Sequence, residues 1–236
     1  MDQTNNSLLL VVMAKAPVPG KVKTRLTPPF TPQEAVDLYK CFLQDRITEM
    51  GRLKGIDLAI AYTPTDARDT FVRISGNGFY LFDQKGEDLG QRLSNIFFNK
   101  LEQGYAAVSI IDSDTPDLPC ATIEDSFHSL LAGGTEAVFG PCDDGGYYLV
   151  GMRRPHPELF RDIPWSTDAV LDITLKKAEN LGIKTRLLPV WNDLDTFEDL
   201  VGFYARHKNQ SSNQQWPGKI TFDYLSGIKS IVNACR

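Results

Sequence analysis

Residues Leu8–Leu26, LLLVVMAKAPVPGKVKTRL, decide the fold. The apolar run Leu8–Ala14 empties into a loop broken by Pro17, Pro19 and Gly20 and carrying Lys15, Lys21, Lys23 and Arg25. An unbroken apolar run reads as a parallel strand buried on both faces. Ligands of open α/β sheets sit beyond the carboxyl ends of such strands. Four cations around Gly20 suit a diphosphate, although a solvated basic turn has the same composition. The loop is not a P-loop, because Val22 rather than glycine precedes Lys23-Thr24. It also lacks the three glycines of a dinucleotide fingerprint.

Outward from this stretch, strands and helices alternate. Thr31-Pro32-Gln33-Glu34 is a capping box with proline at the first helical position, and the helix it opens runs to about Met50. Ile56 to Tyr62 reads as a strand, Asp66 to Ile74 as a short helix and Gly78 to Phe82 as a strand. Asp88 to Gln103 is an amphipathic helix, and Tyr105 to Ile111 is a strand. A helix from about Thr122 to Leu131 precedes a strand from Glu136 to Phe139, a turn over Gly140 to Gly146 and a strand over Tyr147 to Met152. Ser166 or Thr167 is expected to cap a helix reaching Leu181 and ended by Gly182. Ile183 to Trp191 reads as the last strand, and Thr196 with Asp199 opens a helix to about His207. This order predicts a three-layer α/β/α fold around a mostly parallel sheet. The short Phe139–Tyr147 connection leaves no room for a helical crossover, so one antiparallel strand is expected. Residues 1–208 read as one domain. NQSSNQQWPG, residues 209–218, reads as a linker, and 209–236 as linker plus a C-terminal helical extension.

The 236 residues carry a net charge of −5, with 42% hydrophobic and 23% charged residues. That is an ordinary soluble composition, and it argues against a general nucleic-acid partner. A basic loop in an acidic chain points to a small anionic ligand. No stretch reaches the ~20 apolar residues of a membrane span. The polar start MDQTNNS does not read as a signal peptide, so the cytoplasm is the expected location. Cys41, Cys120, Cys142 and Cys235 show no metal or disulfide spacing. With three scattered histidines, any metal would be a hard cation on carboxylates.

Three acidic loops are candidates. Asp112-Ser113-Asp114 follows a strand directly, and two carboxylates at that spacing can face one cation that bridges to phosphates; strand-end acids also form turns and caps. Asp143-Asp144-Gly145-Gly146 combines close backbone approach with a carboxylate, Asp144, that can orient a hydroxyl or act as a base; it equally fits a turn between strands. In Asp193-Leu194-Asp195-Thr196, Asp195 is either a second metal ligand or an acid at a helix start. A helix opening at Gly86–Leu93 can hold an anion with its amides and Arg92.

Six stretches in this order, KAPVPGKVKTRL (15–26), DLGQRL (88–93), DTPDL (114–118), GPCDDGGYYLVG (140–151), WSTDAVLDIT (165–174) and DLDTFEDL (193–200), resemble a family of bacterial glycosyltransferase-like proteins with the GT-A, nucleotide-diphospho-sugar transferase fold. They are also similar to the lactyl-phosphate guanylyltransferase and the molybdenum-cofactor nucleotidyltransferase. The resemblance spans roughly residues 8–205. It implies that the first loop holds nucleotide phosphates and that Asp114, with Asp195, binds Mg or Mn. The family usually has glycine where this chain has Asp112, so this chain gains a literal D-x-D.

The expected activity is metal-assisted glycosyl transfer from a nucleotide-sugar to an unknown small-molecule or lipid acceptor. Lys15, Gly20, Lys21, Lys23, Arg25 and Arg92 would bind the donor. Asp114, Asp112 and Asp195 would hold the metal, and Lys23 and Asp144 would be catalytic. The alternatives are nucleotidyl transfer from an NTP with release of pyrophosphate, and a non-catalytic nucleotide- or sugar-binding module.

Overall fold

The computed structural model describes residues 7–211 and 214–235. The start of the chain, two residues of the expected linker and the last residue of the expected extension lie outside the described residues. Eight helices and seven strands alternate among them. The strands are β1 (Leu8–Lys15), β2 (Ile56–Thr63), β3 (Tyr80–Asp83), β4 (Ala107–Ile111), β5 (Ala137–Pro141), β6 (Tyr147–Met152) and β7 (Thr185–Leu187). The helices are α1 (Pro32–Met50), α2 (Arg68–Ser75), α3 (Leu89–Glu102), α4 (Cys120–Leu131), α5 (Val170–Asn180), α6 (Phe197–His207), α7 (Lys219–Ser226) and α8 (Lys229–Ala234).

The strands form one sheet in the order β3-β2-β1-β4-β6-β5-β7. β1 lies at its centre, parallel to β2 and β4. Only β6 runs against its neighbours, pairing antiparallel with β4 and β5. The alternation along β1 shows why its sequence is apolar throughout. Leu10, Val12 and Ala14 pack with α1, α4, α6 and α7, whereas Leu9 and Val11 pack with α3 and α5. A strand with no solvent face has no polar positions to alternate. Because β6 is reversed, its first residue, Tyr147, stands beside Pro141 at the end of β5. The 142–146 turn therefore joins the loops after β1 and β4 along one edge of the sheet, and the site is built there.

Local chemistry explains most element boundaries. Thr31 and Glu34 form the reciprocal capping box of α1, with Pro32 inside it, and Thr196 and Asp199 do the same for α6. Two expectations are corrected. Neither Ser166 nor Thr167 caps α5: its N-cap is Ala169, without a side-chain bond; the Thr167 hydroxyl donates to the Pro164 carbonyl and accepts from the Ala169 amide ahead of the helix, and Ser166 stands at φ 66°. The strand expected over Ile183–Trp191 is only three residues long; β7 is an edge strand, and beyond it the Leu188 and Trp191 amides still donate to the Phe139 and Pro141 carbonyls of β5.

The helical tail consists of two helices, which separate at Gly227. Both dock on the body. The buried Asp45 carboxylate of α1 accepts from the Ile220 and Thr221 amides and the Thr221 hydroxyl, which caps α7 from across the core. Leu225 and Ile231 are fully buried. No described helix is long and apolar enough to cross a membrane.

Candidate active site

The first loop turns at Gly20 (φ 71°) and again at Lys23, a non-glycine residue held at φ 47°. This left-handed turn drives the Lys23 side chain inward. Its Nζ lies 2.8 Å from Asp114 Oδ1 and 2.9 Å from Asp195 Oδ1, and it donates to the Leu194 carbonyl at 2.9 Å. The side chain is 3% exposed, and the ammonium sits over the Phe42 ring. Burial alone would lower its pKa; the two carboxylates outweigh that and raise it. Lys23 therefore ties the loop after β4 to the loop before α6. Arg25 adds a second tie, from Nη1 to Asp195 Oδ2 at 3.2 Å.

Two cavities adjoin this knot, and Leu89, Asp114 and Asp195 line both. The first, about 310 Å³, lies over the ends of β1 and β2. Lys15, Lys21 and Arg92 line it, together with Gln84 and the buried Tyr39. Neither Lys15 nor Lys21 makes an ion pair among the described residues. Arg92 donates from Nε to the Gly86 carbonyl, which fixes the loop before α3. Gln84 donates to the carbonyls of Ala14 and Ala61 and so ties that loop to the ends of β1 and β2. Tyr39 bridges the Lys15 amide and the Ser113 hydroxyl.

The second cavity, about 470 Å³, opens over β4, β5 and β6. Its charged lining is six aspartates, Asp112, Asp114, Asp144, Asp168, Asp193 and Asp195, against Arg25. Trp165 and Tyr147 form an aromatic wall with rings edge to face, 6.4 Å apart at 76°. The crowding of carboxylates shows in their titration. Burial, then Asp114 and Asp193, push the Asp112 carboxyl up to about 7. Burial, then Asp195, Asp144 and Asp114, push Asp193 up to about 6. Asp112 turns Oδ1 into its own loop, where it accepts from the amides of Asp114 and Thr115 and from the Thr115 hydroxyl. Asp144 is exposed, and its Oδ1 accepts from Gly146 in the same turn. A β-carbon on Gly145 would overlap the Asp168 carbonyl, so this turn and the segment before α5 pack backbone to backbone.

The donor chemistry fits a hard divalent cation. Oxygens of Asp114, Asp195 and Leu194 already surround one cation, the Lys23 ammonium. Among the described residues the donor atoms of Cys142, Asp144 and Asp193, not those of Asp112, Asp114 and Asp195, lie within 4.8 Å of one another, and of these only the two aspartates suit a hard cation. Carboxylate oxygens are what Mg or Mn takes.

Of the residues singled out in the sequence, the fold brings Lys15, Lys21, Lys23 and Arg92 to the first cavity and Asp112, Asp144 and Arg25 to the second. Asp114 and Asp195 stand between them. Gly20 lines neither of these cavities. Sequence reasoning missed Asp193, although its D-L-D spacing repeats that of D-S-D, and it missed Trp165 and Asp168 inside a motif it had noticed. Gln84 and Arg46 carry no local signal. The Arg46 guanidinium is fully buried and donates to the carbonyls of Pro116 and Leu118, behind the acidic loop. Asp117 is not a helix cap: it accepts from Trp191 Nε1 and pairs with His207.

This sheet, with its single reversed strand, is the fold of the nucleotide-diphospho-sugar transferases. The chain belongs to the family described as "Uncharacterized protein conserved in bacteria (DUF2064)", whose profile matches residues 46–167. A crystal structure from Desulfovibrio desulfuricans G20, described as a "putative nucleotide-diphospho-sugar transferase", is 32% identical over 97% of each chain, with a TM-score of 0.87. A CMP:2-keto-3-deoxy-manno-octonic acid synthetase complexed with CTP is 12% identical over 87% of this chain and 100% of its own, with a TM-score of 0.57. A cytidylyltransferase from Leptospira borgpetersenii serovar Hardjo-bovis (strain JB197) is 13% identical over 98% and 96%, with a TM-score of 0.58. The last two share the fold alone. No curated protein matches the chain.

Proposed function

We propose that the protein is a transferase that takes a nucleotide-sugar in the first cavity and an acceptor in the second. One observation carries this reading: a cationic cavity and an acidic one meet at a shared wall, Asp114 and Asp195, beyond the strand ends. The relative from Desulfovibrio desulfuricans supports the same choice.

In this reading Lys15, Lys21 and Arg92 hold the donor's phosphates. Arginine adds planar, two-pronged contacts that lysine lacks. Asp114 and Asp195 hold Mg or Mn, with Asp112 behind them and Asp193 beside them. Such a cation, when bound, neutralises the departing diphosphate as a Lewis acid. Lys23 keeps Asp114 and Asp195 aligned and places fixed positive charge next to the breaking bond. Asp144, exposed in the second cavity, orients the acceptor hydroxyl and takes its proton. Residues 1–208 would be the transferase unit and 209–236 its extension, whose helix α7 packs on α1.

Nucleotidyl transfer is the second reading, favoured by the fold shared with the CTP-bound synthetase and the cytidylyltransferase. The products separate the two. The test is a melting-temperature panel of nucleotides and nucleotide-sugars with and without Mn, followed by product analysis on the donor that shifts the transition. A ligand at a hundred times its dissociation constant adds about 2.7 kcal/mol. Release of a nucleoside diphosphate is expected, pyrophosphate instead would select the second reading, and a flat panel would remove the transferase reading.

A further inference from the structure

We infer that the second cavity receives an uncharged, polyhydroxylated acceptor, such as a sugar ring or cyclic polyol, and rejects phosphorylated or carboxylated ones. This rests on the transferase reading above and adds the chemical class of its acceptor. Three observations carry it.

The first is how the cations are sorted. Lys15, Lys21 and Arg92 line the first cavity; none of them lines the second, where Arg25 faces six aspartates. Lys23 and Arg25 are already spent on Asp114 and Asp195. Asp144, Asp168 and Asp193 have no ion-pair partner among the described residues, and the cation assigned above goes to Asp114 and Asp195. An acceptor bearing a phosphate or carboxylate would meet repulsion in a partly dry cleft, where charges act more strongly than in water.

The second is the donor and acceptor balance of the lining. An ionised carboxylate offers about four acceptor sites and no donor. A polyol supplies the O–H groups that satisfy such a wall. Asp144 and Asp168 stand exposed for this purpose, with Asp193 half-buried behind them.

The third is the aromatic wall. Tyr147 and Trp165 line the cavity side by side, with their rings edge to face and the Tyr147 hydroxyl buried. Rings of this kind offer an apolar face beside a polar rim, which matches the C–H face of a sugar. The volume of about 470 Å³ falls within the ordinary range of small-molecule pockets.

The experiment uses the full chain with Mn and saturating UDP, GDP or CDP, whichever binds in the melting panel. Saturation-transfer NMR and calorimetry then compare glucose, mannose, galactose and myo-inositol with glucose 6-phosphate, glucuronate and glucosamine. At least one uncharged member is expected to bind about tenfold or more tightly than its phosphorylated or carboxylated counterpart, the scale of one close like-charge contact. Asp168→Arg is expected to shrink that ratio about tenfold, and its melting curve and diphosphate affinity report whether the fold and the first cavity are intact. Equal or tighter binding of the anionic sugars overturns the inference, as does binding of glucosamine alone or of no uncharged member while the diphosphate still binds. If no diphosphate binds, the transferase reading itself fails, and the inference falls with it.

Discussion

Replacing Lys23 with methionine tests the central knot of the site. Methionine keeps the length and apolar stem of lysine and removes the charge. In the native protein the ammonium is 2.8–2.9 Å from two carboxylate oxygens and 2.9 Å from a carbonyl, at 3% exposure. Breaking a buried ion pair from one side costs about 3–5 kcal/mol. Here the stranded carboxylates are 35% and 30% exposed and can recover some hydration, so a cost at or below the bottom of that range, about 2–3 kcal/mol, is expected. At this chain length that is roughly 4–12 °C in melting temperature. The assay is urea denaturation of wild type and Lys23→Met in EDTA and then in Mn. Mn should restore much of the loss, because a cation bound to Asp114 and Asp195 offsets the repulsion that the lost lysine leaves between them. In the wild type the raised lysine pKa sets the sign of the pH dependence: the stabilisation is present below about 10.5 and is lost as pH rises through the higher folded value. A variant within about 0.5 kcal/mol of wild type in EDTA, the range of an ordinary surface change, would refute the ion-pair geometry. A deficit that Mn leaves untouched would refute the view that these carboxylates can hold a metal.

Asp112→Asn should stabilise the metal-free protein at pH 8 by up to a few kcal/mol and leave it nearly unchanged at pH 4. The native carboxyl, raised to about 7, makes the folded state bind more protons than the unfolded one between about pH 4 and 7. Stability therefore falls as pH rises through that window, while asparagine keeps the acceptor oxygen used by Asp114 and Thr115; an unaltered stability–pH curve would contradict this. Asp45→Ala should cost about 1–3 kcal/mol through the lost α7 cap and should speed proteolysis within 209–235, read by timed digestion and mass spectrometry. Gly145→Ala should disrupt the 142–146 turn, since its φ is 84° and its β-carbon would overlap the Asp168 carbonyl. Acceptor-side activity should then fall while diphosphate binding in the first cavity persists.

Much of the architecture was legible because it is local. The apolar run of β1, the capping boxes at Thr31 and Thr196 and the glycine turns act within a few residues. Composition and spacing therefore located α1, α3, β4, β6 and α6, and the short 142–146 connection announced the one reversed strand. The site was legible as a set of charged loops because charge collects where strands end.

The partners were decided only by the folded chain. From sequence, Lys23 and Arg25 read as phosphate ligands like Lys15 and Lys21. The left-handed turn at Lys23 instead aims its ammonium at Asp114 and Asp195, more than ninety residues away. Asp112 looked equivalent to Asp114, yet its own loop takes up one of its oxygens. The sequence by itself determined that this is a three-layer α/β protein with cationic and acidic loops at one sheet edge. Which cation meets which carboxylate, and so which charges remain for a ligand, was decided by the tertiary structure, because Coulomb energies depend on distances and burial that no local pattern encodes.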